Sequence, residues 1–189
     1  AGLGRTQASC AALIPIKNDP EANRIFLEML CSPQNSEPTL RRMNEAGVLG
    51  RCIPDFGRVV SMMQFNMYHH FTVDEHLIRA IGFLSDVEHG RYAIEHPVST
   101  EIIRAIDNRR ALHVAVLLHD IAKGRDEDHS IAGARIAREL GPRLGLTPSE
   151  TETAADAVSA EGGGGSGELA AQAEPVEVPE RIVYTADLR

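Results

Sequence analysis

Arg110-Ala111-Leu112-His113-Val114-Ala115-Val116-Leu117-Leu118-His119-Asp120-Ile121-Ala122-Lys123-Gly124 is the stretch that decides the fold. Its apolar residues follow neither strict alternation nor a single narrow stripe. They cover most of a helical surface between Arg110 and Ala122. A helix apolar nearly all round belongs inside a bundle rather than on its surface. The stretch therefore predicts an all-α fold with this helix at its centre. Where the helix runs out, His119 and Asp120 stand side by side. A buried carboxylate is costly unless it is paired or ligates a metal. The octet Leu117 to Gly124 favours a shared polar pocket at the helix end over a core histidine beside a surface acid. An imidazole next to a carboxylate suits a divalent transition ion, or a harder ion whose shell water completes.

Outward from this helix, punctuation marks further helices. Asp19-Pro20-Glu21 reads as a cap followed by proline in the first turn, and Cys31-Ser32-Pro33 as a stop. Ser36-Glu37-Pro38 opens a second helix that closes near Gly47. Ile53 to Gly57 reads as a turn, followed by an apolar run from Val59 to Phe65. Thr72-Val73-Asp74-Glu75 has the capping-box pattern, with Asp74 and Glu75 serving the helix N-terminus. Pro97 to Ile106 is expected to be helical, capped by Ser99 or Thr100. His129 to Leu140 follows, and Thr147-Pro148-Ser149-Glu150 caps another helix. Glu161 to Gly167 has a flexible-linker composition. The expected organisation is an N-terminal tail over 1–17 and a helical core over 18–160. A Gly-rich linker and irregular segment follow over 161–179, then a C-terminal segment over 180–189.

The bulk numbers narrow the function. A chain of 189 residues with net charge −8 can bury a core but lacks the basic stripe of nucleic-acid binders. Three cysteines, Cys10, Cys31 and Cys52, form no paired motif, which fits free thiols in a reducing compartment. The apolar run Ala11 to Ile16 is too short to span a membrane. A soluble, cytoplasmic protein is expected, with no nucleic-acid or membrane partner.

Other histidines and acids have separate readings. His76 lies in the first turn of its helix among apolar neighbours, a second candidate for the pocket of His119 and Asp120. His69 and His70 precede it; one of them could line the same pocket, but neighbouring exposed histidines are common. His129 stands near a helix N-terminus, a place suited to phosphate oxygens. Lys123 and Arg125 are close enough in sequence to reach the same phosphate. Asp126, Glu127 and Asp128 read as a solvated acidic turn. His89, His96 and His113 read as structural or solvated. Asp187, in the closing Tyr184 to Arg189, carries little signal by itself.

The order His, then His-Asp, then a distant Asp resembles the HD phosphohydrolase superfamily, whose fold is a helical bundle. The likeness extends over LRRMNEAGVLGRCIPDFGRVVSMMQFNMYHHF (Leu40 to Phe71), TVDEH, VAVLLHDIAKG and DHS. These segments are similar to the HD region of the bacterial bifunctional PII uridylyltransferase/uridylyl-removing enzyme, from about Asn18 to Thr153. The resemblance implies His76, His119, Asp120 and Asp187 as metal ligands. It implies Lys123 as a phosphate contact and His129 as a second-site histidine. It also implies a divalent metal (manganese, magnesium, iron or zinc) and, as partner, the uridylylated PII signalling protein of nitrogen regulation.

The departures are equally informative. The family's nucleotidyltransferase and ACT domains have no counterpart here, so uridylyl transfer is expected to be absent from this chain. No histidine follows His129; where the family has an adjacent pair, this chain reads Ala154-Ala155-Asp156-Ala157-Val158. One metal rather than two is therefore expected. The implied reaction is hydrolysis of the phosphodiester between UMP and a PII tyrosine. Lys123 and Arg125 would offset phosphate charge, and His129 would protonate the leaving oxygen. The alternative is a non-catalytic metal- or nucleotide-binding regulatory HD module.

Overall fold

The computed structural model describes residues 16–63 and 71–162. Asp187, His69, His70 and Cys10 lie outside the described residues, as do residues 1–15, most of the expected linker and the whole 180–189 segment. A short 3-10 turn, Ile16–Asn18, leads into α1 (Pro20–Leu30), α2 (Ser36–Glu45), α3 (Leu49–Cys52), α4 (Pro54–Val59) and α5 (Val73–Glu88). Then come α6 (Pro97–Arg104), α7 (Arg109–Leu118), α8 (His129–Leu144) and α9 (Pro148–Gly162). Among the described residues the only extended pairing is one antiparallel bridge, Met63 with Thr72. The fold is all-α, as the sequence predicts.

The caps show why these elements start where they do. Asp19 Oδ1 accepts from the backbone N–H of Glu21 at 2.8 Å and of Ala22 at 3.2 Å. At the head of α9, Thr147 N–H donates to Glu150 Oε2 at 2.7 Å while Glu150 N–H donates to Thr147 Oγ1 at 3.2 Å. That is the reciprocal capping box. Asp128, expected to be a solvated acid, caps α8 by accepting from Ser130 and Ile131 N–H.

Three further expectations need correction. Ile53 to Gly57 is mostly helix, not turn: Pro54 sits in the first turn of α4, where its missing N–H costs nothing. That helix closes at Val59. At α6 neither Ser99 nor Thr100 caps; His96 holds that position, and Thr100 Oγ1 donates back to the His96 carbonyl at 2.9 Å. At α5 Thr72 is the N-cap residue but makes no capping side-chain bond. Glu75 instead turns to Arg41, 2.5 Å away.

The core forms around α7, which packs on α1, α5, α8 and α9. Ala111, Val114, Leu117 and Leu118 are wholly buried, as are Leu77, Ile78 and Ile81 of α5. Among the described helices, α8 and α9 share the most extensive contact. Gly133, Ala137 and Gly141 make a stripe of small residues along α8, spaced at i, i+4 and i+8. A Cβ on Gly141 would meet Thr151 Oγ1 at 2.7 Å, and one on Gly133 would meet Val158 Cγ1 at 2.7 Å. Ala154, Ala155 and Val158 of α9 fill this seam. Cys31, half-buried at the end of α1, has its thiol pushed up to about 11 by burial.

Candidate metal centre

Two chain segments meet at the site, and each is fixed by local bonding. At the start of α5, the buried Asp74 accepts from Asn44 Nδ2 at 2.7 Å and from Ser61 N–H at 3.1 Å. Ser61 turns its N–H toward Asp74 from a left-handed backbone, φ 58°, uncommon without glycine. Burial pushes the Asp74 carboxyl up, but its bonds from Thr72, Asn44, Ser61 and Glu75 hold it below the ordinary value. The first turn of α5 is thereby tied to α2 and to the 60–62 turn, and His76 projects from it, half-buried.

The second segment is the end of α7. His119 is its C-cap in right-handed helical geometry, and a run of turns carries the chain on through Asp120 to Gly124. Gly124 adopts φ +78°, and a Cβ there would meet the Met62 thioether at 3.0 Å. Glycine thus serves both the backbone reversal and the close approach of the Met62 side chain. His119 Nδ1 lies 2.7 Å from the Val116 carbonyl, which can only accept. The ring therefore donates from Nδ1 to that carbonyl and turns Nε2 toward the site.

The facing atoms make a compact triangle. His76 Nε2 and His119 Nε2 are 3.0 Å apart. Asp120 Oδ2 lies 3.5 Å from the first and 3.7 Å from the second. Two nitrogens sharing one ion at about 2.0–2.1 Å would lie roughly 3 Å apart, so the spacing fits a common ligand set. His119 and Asp120 are buried, 6% and 7% exposed. Burial alone would raise the Asp120 carboxyl; His119, Lys123 and His76 reverse that and hold it below the usual range. Lys123 Nζ stands 2.5 Å from the same Oδ2. Two imidazoles and a carboxylate are a suitable donor set for a divalent ion, and among the described residues they form the one such group.

The remaining expected residues are placed as follows. Lys123 joins the group through Asp120. His129 is exposed at the head of α8 and lies outside the triangle. Arg125 is held by Asp55 of α4, with Glu127 3.8 Å away, so it is already occupied by carboxylates. His113 is wholly buried: Nδ1–H donates to the Arg109 carbonyl at 2.9 Å, and Nε2 lies 3.6 Å from Glu88 Oε2. His89 bonds the Ser85 carbonyl, and His96 packs edge-on to Tyr92 and Phe83. Both are structural, as expected. The sequence reading did not single out Asp55 and Arg58: Asp55 fell in the expected turn, and Arg58 lies between that turn and the apolar run. Their i, i+3 spacing behind Pro54 is the signal that would have put them on one helical face.

The HD-domain family model matches residues 73–188, which include both sides of the triangle. The chain belongs to the HD-domain family. A second family model, the third domain of uridylyltransferase GlnD, matches residues 13–52. Together the matches are consistent with the HD region of GlnD and support a phosphohydrolase-type function that depends on a metal. HD domains generally bind divalent metals, and in this HD domain His76, His119 and Asp120 converge on one point. Among the described residues no helix is long and apolar enough to cross a membrane.

Proposed function

We propose that this HD domain is a uridylyl-removing phosphodiesterase, hydrolysing the bond between UMP and a tyrosine of the PII signalling protein in the cytoplasm. The observation that carries the reading is the 3.0 Å approach of His76 and His119 with Asp120 beside them. These three, with Asp187 as fourth ligand, hold one divalent ion, manganese, magnesium, iron or zinc. Asp187 falls within the matched stretch 73–188. The working unit is the 18–160 core with the 180–189 segment returning to it across a Gly-rich connection. A divalent ion in this position supplies Lewis-acid activation of a phosphoryl group and of water. Lys123, whose ammonium already touches Asp120, offsets charge on the phosphate oxygens. His129, at the head of α8, delivers a proton to the leaving tyrosine oxygen.

The test is metal analysis of the purified protein with hydrolysis of bis(p-nitrophenyl) phosphate, with and without manganese. Near one equivalent of metal and manganese-dependent turnover are expected. Bound metal with no turnover would favour a second reading, a regulatory HD module that binds metal or nucleotide without hydrolysis. One feature supports that second reading. The region where the related enzymes have paired histidines is spent here on packing, with Ala154, Ala155 and Val158 buried in the α8–α9 seam.

A further inference from the structure

Beside the triangle lies an open cleft of about 610 Å³, lined by Arg58, Met62, Ile121, Lys123, Arg125 and Asp126 among others. Its volume falls in the range of about 300–1,000 Å³ usual for small-ligand sites. Lys123 belongs to both, since its ammonium touches Asp120 while its side chain lines the cleft. Lys123 is thus the side chain that links the cleft to the proposed metal centre.

The charges in the cleft are unevenly used. Lys123 is neutralised by Asp120, and Arg125 by Asp55 and Glu127. Glu127 in turn is shared with Arg135. Arg58 is exposed and has no anionic partner among the described residues. It stands on α4 one turn beyond Asp55, and Asp55 ties that helix to the loop carrying Arg125. The tie fixes the face of α4 from which Arg58 enters the cleft. Asp126 is an exposed acceptor with no cationic partner among the described residues. Met62 and Ile121 give the cleft an apolar portion.

One cation with open capacity, one carboxylate able to accept from hydroxyls, and an apolar surface together match a phosphate, a sugar and a base. We infer that this cleft binds the nucleotide half of the phosphodiester, a nucleoside 5′-monophosphate ester, with Arg58 recognising its anion and Asp126 its sugar hydroxyls. The inference rests on the hydrolase reading for its substrate, but its binding site is independent of turnover. Arg58 has five donors in a planar fork, which suits phosphate oxygens bidentately. Asp126 repels a bare anion but accepts from neutral hydroxyls, so it selects the nucleotide over free phosphate.

The experiment is calorimetric titration of the protein, with and without manganese, using UMP, uridine and inorganic phosphate as probes. UMP should bind more tightly than either fragment. Arg58→Gln should weaken UMP by about tenfold or more, the worth of a charge-assisted bond, with Arg58→Lys intermediate. Asp126→Asn should weaken UMP and uridine but not inorganic phosphate. Circular dichroism checks that these exposed substitutions keep the fold. UMP binding no tighter than inorganic phosphate, or indifferent to Arg58→Gln, overturns the inference. With uridine 5′-(p-nitrophenyl) phosphate as substrate, Arg58→Gln should raise KM more than it lowers kcat. Turnover with unchanged KM sinks the cleft and leaves the hydrolase reading standing. Nucleotide binding in the expected order without turnover of any phosphodiester does the reverse.

Discussion

Asp120 is asked to serve two cations through one oxygen. Its Oδ2 faces both imidazole nitrogens and also receives the Lys123 ammonium. The lysine thus supplies, within the protein, part of the positive charge that a divalent ion would bring. Two substitutions separate these roles. Asp120→Ala should abolish metal retention and hydrolysis together, and undiminished hydrolysis in that variant would sink the proposed site. Lys123→Met should cost the metal-free protein on the order of 1–3 kcal/mol by leaving a buried carboxylate without its ammonium. Manganese should then raise the melting temperature of Lys123→Met by more than it raises that of the parent protein. An equal rise in both would show that lysine and metal do not share the oxygen. The His-Asp element is legible in the sequence because both residues are adjacent and end a buried helix. The Val116 carbonyl that accepts from His119 Nδ1 is not, since it is a backbone atom without a residue signature.

At the scale of helices, the α8–α9 seam is the least forgiving contact. Gly141→Ala would ordinarily favour a helix by about 1 kcal/mol. Here the new methyl would meet Thr151, whose hydroxyl is held by the Thr147 carbonyl at 2.9 Å inside the α9 cap. A net loss of roughly 1–3 kcal/mol from overpacking is expected, partly relieved in the double variant with Thr151→Ala. Urea unfolding of the three proteins checks this. The caps of α1 and α9 are readable from Asp19 and Thr147 because the capping groups are local, whereas Asp128, which caps α8, reads in the sequence as a solvated acid. The α3–α4 corner was misread because Pro54 and Gly57 look like turn residues. Their actual use is to start a helix and to let it cross its neighbour: a Cβ on Gly50 would sit 2.8 Å from the Gly57 Cα. Such an approach depends on partners distant in space, which no local pattern carries. The capping box expected at Thr72 failed for a related reason. Arg41, on another helix, outcompetes the backbone for Glu75.

Across the whole molecule, acid stability should depend on a residue away from the site. His113 is buried against Glu88 and Arg109, and burial lowers its pKa from the ordinary 6.5, with Glu88 opposing the shift. Above pH 6.5 the imidazole is neutral in folded and unfolded chains alike. As pH falls through that value toward the lowered native one, the unfolded chain takes up the proton first and stability declines. His113→Leu should flatten the difference between urea midpoints at pH 7.5 and 5.5; an unchanged difference would assign the acid sensitivity elsewhere. The Arg109 that faces His113 also grips Glu88 at 2.6 and 2.7 Å and donates to the Cys31 carbonyl at 2.8 Å. That places the Cys31 thiol at the junction of α1 with α5 and α7. With its pKa raised to about 11, on the order of one such thiol in ten thousand is ionised at pH 7. Alkylating reagents should therefore find Cys31 nearly inert while the junction is closed and fast once it parts. Mapped by peptide mass, its labelling rate becomes a stopwatch for the breathing of the bundle, running without any added dye or engineered probe.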